Sequence, residues 1–257
     1  MSIDPRWIVP DWPAPPGIRA LITTRGGGVS RGPWGAPPNG EGGMNLGFGS
    51  GDDPAAVAAN RARLRALLPD EPCWLKQEHG ARVVDAESVA APPAADASTA
   101  RARNVVCAVL VADCMPVLLV DVRGRAVAAA HAGWRGVAAG VLQASARALR
   151  ARLGDPAAEL IAYLGPAIGP EAFEVGADVL DAMRDTLPQA QAAFRPLGSG
   201  KYLADLFALG RQALAQGGVE AVYGGTESTY ADPQRFYSFR RDRVTGRHAA
   251  LIWRASD

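Results

Sequence analysis

The sequence predicts one α/β domain spanning residues 1–257, on three observations. Short apolar runs rich in Val, Leu and Ala, at Val105–Val111, Val117–Val120 and Ala126–Ala130, are bounded by turn residues and read as buried strands. Helical periodicity follows them, over about 135–153, 176–187 and 202–216. No internal repeat, low-complexity tail or linker divides the 257 residues, and a chain of this length can bury a large core.

In chain order, residues 1–17 are rich in Pro and Trp and read as irregular cover for the core. Ala20–Thr24 reads as a strand running into Arg25-Gly26-Gly27-Gly28-Val29-Ser30, whose plain reading is a flexible surface loop. Residues 31–51 stay rich in Gly and Pro, a long connection of the kind that tends to be functional. Asp53-Pro54 opens a helix by capping and by Pro at the first position, with Val57, Leu64 and Leu68 on one stripe and a stop before Pro69. Cys73–Gln77 and Ala81–Val84 read as two strands joined through Glu78-His79-Gly80, and Ala90–Arg103 as a polar connection. The three central runs form an expected up–down–up meander, turning at Asp113–Pro116 and Val122–Gly124. That places Cys114 and His131 at one sheet edge. The helix over 135–153 carries Val137, Val141, Ala148 and Leu153 inward and stops at Gly154 and Pro156. Strands are expected at Leu160–Leu164 and Val219–Tyr223, and a closing hairpin pairs Arg235–Arg240 with His248–Trp253.

Composition narrows the function classes. A formal net charge of +1 gives no general attraction to nucleic acid or membrane, and no apolar run approaches a membrane span. The N-terminal residues 1–7 lack a signal-peptide layout. Cys73, Cys107 and Cys114 are too few and odd in number for a disulfide framework, so the expected compartment is the reducing cytoplasm.

The chemistry concentrates at strand ends. Of the three histidines, His79 and His131 sit in turns beside glycine, whereas His248 lies inside an apolar strand and reads as structural. His79, Cys114 and His131 form a mixed nitrogen and sulfur set of the type zinc takes, although their spacing matches no short zinc pattern. The same atoms allow a cysteine hydrolase, with Cys114 the nucleophile, His131 its base and Asp113 the orienting acid. Cys73 and Cys107 fall in apolar runs and read as core. Gly133, Arg135 and Gly136 at the start of a helix read either as an anion cradle or as an arginine paired with a nearby acid.

Several stretches together resemble the YfiH/laccase-domain family, also called the multicopper polyphenol oxidase or purine nucleoside phosphorylase family. They are Thr23–Ser30, Leu75–Gly80, Ala112–Leu119, His131–Gly136, Leu164–Pro170 and Phe236–Asp242. The resemblance implies layered mixed β-sheets flanked by helices and a zinc held by His79, Cys114 and His131. It implies phosphorolysis of adenosine, inosine and S-methyl-5'-thioadenosine, with adenosine deamination as a side activity. The partners are then small molecules, a nucleoside and phosphate, with no nucleic acid and no membrane. Arg25 and Arg135 become phosphate candidates because each adjoins glycines, and Gln77 a candidate for a base or ribose. A cysteine often seen before the last hairpin of the family is Ser228 here, which leaves the three ligands intact. The older phenol oxidase assignment needs several coppers and more histidines than this chain has, although Cu²⁺ competes well for such a ligand set. A binding module with a structural zinc would require a fourth protein ligand.

Overall fold

The computed structural model describes residues 4–256; part of the N-terminal stretch read above, residues 1–3, and residue 257 lie outside them. In chain order the strands are β1 (Ile18–Ile22), β2 (Gly26–Ser30), β3 (Val83–Asp85), β4 (Ala97–Ala100), β5 (Cys107–Val111), β6 (Met115–Asp121) and β7 (Val127–Ala132). There follow β8 (Leu160–Leu164), β9 (Glu174–Gly176), β10 (Phe194–Gly198), β11 (Lys201–Ala204), β12 (Ala221–Gly224) and β13 (His248–Arg254). The helices are α1 (Pro54–Arg65), α2 (Trp134–Ala138), α3 (Val141–Leu153), α4 (Ala177–Arg184), α5 (Leu206–Gln216) and α6 (Phe239–Asp242).

A six-stranded mixed sheet of order β12-β8-β6-β7-β4-β3 is the centre of the molecule, with parallel pairs only at its two ends. Side chains alternate across it, as strand geometry requires. Val117 and Leu119 of β6 face a core shared with Leu142, Leu149 and Leu214 of α3 and α5. Leu118 and Val120 face the other way, against Val109, Ala250 and Ile252 of a second sheet, β1-β13-β5. The outer side of that second sheet, with Leu21, Ala108 and Leu251, is covered by Leu64 of α1 and by Met44 and Leu46. The layers are therefore helix, sheet, sheet and helix, as expected. A small sheet, β10-β11-β9, lies beside α4. Among the described residues no helix is long and apolar enough to cross a membrane.

Several elements differ from expectation. The central runs are not one meander: β6 and β7 pair, but β5 belongs to the second sheet. Residues 73–77 form no strand and pair with neighbouring backbone only at isolated bridges, Cys73 and Lys76. The connection 90–103 contains the buried strand β4. The helix expected over 135–153 breaks at Gly140, which takes φ 83° and divides α2 from α3. Leu203 lies in β11, not in α5, which Asp205 caps through the N–H of Ala208. No closing hairpin forms: β13 pairs with β1 and β5, while Ser238 caps the short α6. Gly26–Ser30 is strand β2, not a flexible loop. A Cβ at Gly28 would lie 2.2 Å from the carbonyl oxygen of Gly43 and 2.4 Å from Oδ1 of Asn60 in α1.

Candidate active site

The site lies on the seam between the six-stranded sheet and the β1-β13-β5 sheet packed on it. The chain leaves the second sheet at Val111 and enters the central one at Met115, and the crossing residues Ala112, Asp113 and Cys114 make the turn. Asp113 holds it, with φ 85°. Its carboxylate accepts from Oγ1 of Thr229 and from the N–H of Arg240, both at 2.6 Å, and its carbonyl accepts from the N–H of Ile168. Asp113 therefore fixes the crossing and does not orient a histidine. His131 reaches the same place from β7, where it pairs with Pro116. The turn bearing His79 is clasped to the second sheet by Gln77. The Gln77 amide donates to the carbonyl of Leu110 at 2.7 Å and accepts from its N–H at 2.8 Å.

The result is a cluster of His79, Cys114 and His131 whose donor atoms all lie within 4.8 Å of one another. Nε2 of His79 is 3.8 Å from Sγ of Cys114. A tetrahedral zinc with ordinary Zn–N and Zn–S bonds separates such a pair by about 3.6 Å, so the donor set fits a metal closely. Gly133 leaves room for it, because a Cβ there would sit 2.8 Å from Sγ of Cys114.

One carboxylate organises both histidines. Oδ1 of Asp96 is 2.8 Å from Nδ1 of His131 and accepts from the N–H of His79 at 2.9 Å. Its Oδ2 accepts from the N–H groups of Gly80 and Glu78, and its carbonyl accepts from the N–H of His131. A buried carboxylate on Nδ1 directs Nε2 of His131 to the cluster, the arrangement that supports metal-binding histidines. Burial alone would raise the carboxyl of Asp96, but the His131 contact and the N–H donors hold it below the usual range. Burial likewise opposes the thiolate of Cys114, yet the charge of His131 and hydrogen bonds with both histidines bring it down to about 6. A thiolate at neutral pH is the form that ligates metal or attacks carbon.

Two cavities open beside the cluster. The smaller, about 310 Å³, is bordered by Trp134, Arg135, Phe173, Arg240 and Arg243. The larger, about 700 Å³, is bordered by Phe48, Arg61, Trp74, Leu110 and Arg247. His79, Ala112, Cys114 and Phe239 border both.

The remaining expected site residues divide. Arg135 is exposed on the smaller cavity, its guanidinium 4.3 Å from the Trp134 ring centroid. Gln77 borders the larger cavity, although its amide is engaged by Leu110. Arg25 borders neither; it donates to the carbonyls of Gly35, Pro33 and Pro233 and pairs with Asp242 at 3.5 Å. His248 is buried, accepts from the N–H of Tyr237, and is pushed down to about 3 by burial. Cys107 is fully buried and Cys73 half-buried, both free. Ser228 donates to Glu171, away from the cluster. Sequence reasoning missed Asp96, Arg240, Arg243 and Arg247. An acid just ahead of the buried β4 is the one local signal that pointed to Asp96.

Fold and site together define a layered α/β protein with a His/Cys/His cluster on a sheet seam. The sequence profile of the multi-copper polyphenol oxidoreductase laccase family matches residues 19–255, and the chain belongs to that family. It is 48% identical over 248 residues to "Purine nucleoside phosphorylase PA4543" of Pseudomonas aeruginosa, covering 96% of this chain and 98% of that one. It is 46% identical over 249 residues to "Purine nucleoside phosphorylase YfiH" of Escherichia coli, with 96% and 98% covered. Among solved structures, protein NMB0706 of Neisseria meningitidis superposes with a TM-score of 0.89 at 48% identity, covering 98% of this chain and all of that one. YfiH of Bacillus licheniformis superposes at 0.82 with 28% identity, covering 92% of each.

Proposed function

We propose that this chain is a zinc-dependent purine nucleoside phosphorylase acting on adenosine, inosine and S-methyl-5'-thioadenosine, with adenosine deamination as a side activity. The observation that carries the reading is the convergence of His79, Cys114 and His131 between two cavities, in a chain similar over nearly its full length to proteins named purine nucleoside phosphorylase. These three side chains would hold the ion and leave a fourth position open, where it supplies Lewis-acid polarisation of a substrate oxygen or of water. The protein itself supplies a fixed ligand geometry through Asp96, and a guanidinium at the cavity, Arg135, to hold an anion. Three free thiols agree with a cytoplasmic setting.

A phenol oxidase with several coppers is disfavoured by the donors: besides the cluster the chain has one histidine, His248, and its Nε2 is engaged by Tyr237. The test of the main reading is product chromatography with inosine, with and without phosphate. Phosphate-dependent hypoxanthine release with ribose 1-phosphate supports it; equal release without phosphate makes the enzyme a hydrolase. Elemental analysis of the wild type and of His79→Ala checks the metal, with about one zinc per chain expected in the former and loss in the latter.

One observation favours a second reading. Cys114, His131 and Asp96 also form a thiolate–imidazole–carboxylate series, the pattern of a cysteine hydrolase. Alkylation separates the two. A zinc-bound thiolate reacts slowly until a chelator removes the ion, whereas a free nucleophile reacts fast with or without chelator.

A further inference from the structure

We propose that the two cavities meeting at His79 and Cys114 divide the substrates, the smaller taking phosphate and the larger the purine base. This inference rests on the phosphorolysis reading. In that reaction a phosphate oxygen forms a bond to the anomeric carbon while the bond from that carbon to the base nitrogen breaks. The bonding electron pair leaves with the base, which takes up a proton, and the sugar product carries the phosphate. An in-line displacement brings the two reactants to opposite faces of one carbon. Two compartments that share His79, Ala112, Cys114 and Phe239 can deliver the two reactants to one centre.

The walls decide which compartment is which. On the smaller cavity, Arg135 and Arg243 are exposed, and neither guanidinium has a hydrogen-bond or ion-pair partner among the described residues. Arg240 stands beside them, held in place by the carbonyls of Ala172 and Glu174. The one carboxylate on that wall, Asp113, already accepts from Thr229 and Arg240. Free guanidinium forks match a phosphate's oxygens in pairs.

In the larger cavity each arginine is already tied to a backbone carbonyl. Arg61 donates to the carbonyl of Leu46 and packs on the rings of Phe48 and Trp74, at 4.6 and 4.1 Å from their centroids. Arg247 donates to the carbonyls of Thr245 and Gly246, and the Gln77 amide is held by Leu110. Lys76 is the remaining cation there, and it is exposed. Most of what is left is rings and aliphatic carbon, from Phe48, Leu75, Leu110 and Val111. At about 700 Å³ it suits a flat, mostly apolar heterocycle. Phe239, 48% exposed, stands between the compartments.

The test is two-substrate kinetics with inosine and phosphate, joined to calorimetric titration of the zinc-loaded chain with inorganic phosphate alone. In Arg135→Met/Arg243→Met the phosphate KM rises about tenfold or more, the inosine KM is unchanged, and the phosphate heat disappears. Arg135→Lys keeps the charge and restores part of the affinity. Phe48→Ala raises the inosine KM several-fold and leaves the phosphate KM alone. If the wild type releases no base at all, the phosphorolysis reading falls, and the phosphate titration alone judges the anion compartment. A double variant that binds phosphate as the wild type does, or that loses inosine affinity instead, overturns the division.

Discussion

Two segments of this chain set an arginine beside glycines, and they use the missing side chain in opposite ways. Around Arg25 the glycines let backbone meet backbone: Gly28 lies under Asn60 and against the carbonyl of Gly43, and the guanidinium binds three carbonyls. Around Arg135 the space left by Gly133 opens toward Cys114 and His79, and the guanidinium faces a cavity. One segment is closed by the protein itself, and the other is open to a ligand. The lesson is that glycine beside arginine announces close approach without saying what approaches.

Substitutions can break or sharpen the contrast. The largest effect is expected for Gly28→Ala, because backbone atoms cannot move aside for the new Cβ. It should cost about 3 kcal/mol or more, read in a thermal melt as a fall of roughly 6–12 °C. Arg25→Met comes next, at about 2 kcal/mol for the lost charge-assisted hydrogen bonds, with no change in the phosphate KM. An unaltered melt with weaker phosphate binding would return Arg25 to the site and erase the comparison. Gly133→Ala meets side chains, which can yield, so it should lower stability by only about 1 kcal/mol while reducing bound zinc measured by elemental analysis. Full zinc in a melted-out variant would make Gly133 a packing residue like Gly28. Arg135→Met should leave the melt within about 0.5 kcal/mol of wild type, with its effect confined to phosphate.

The cluster of His79, Cys114 and His131 was legible because histidine is scarce here and two of the three histidines stand in glycine-containing stretches that read as turns. The rest of the site was not, for physical reasons. Asp96 acts on His131 across 35 residues of sequence, from a connection whose alanines and prolines conceal the short buried β4. Asp113, adjacent to the cysteine, looked like the orienting acid, but its left-handed turn sends its carboxylate to Thr229 and Arg240. Buried strands were readable from apolar runs and the layering from the family resemblance, whereas the sheet each run joins was not. β5 and β6 are equally apolar, and periodicity carries no information about a partner strand. The segment 235–240 holds three aromatics between two arginines and reads like a strand, yet Ser238 caps α6 there, which sets Phe239 at the border of both cavities.

The grip of Asp96 on both histidine segments has a consequence for the life history of the protein. Four donors, the N–H groups of Glu78, His79 and Gly80 and the ring of His131, converge on one carboxylate of the chain itself. Small zinc domains fold only as the metal arrives. Here the socket is assembled by the chain, within a core of two sheets that does not involve it. On the metal reading proposed above, folding and ion loading are then separable steps, the first set by the chain and the second by the supply of ion.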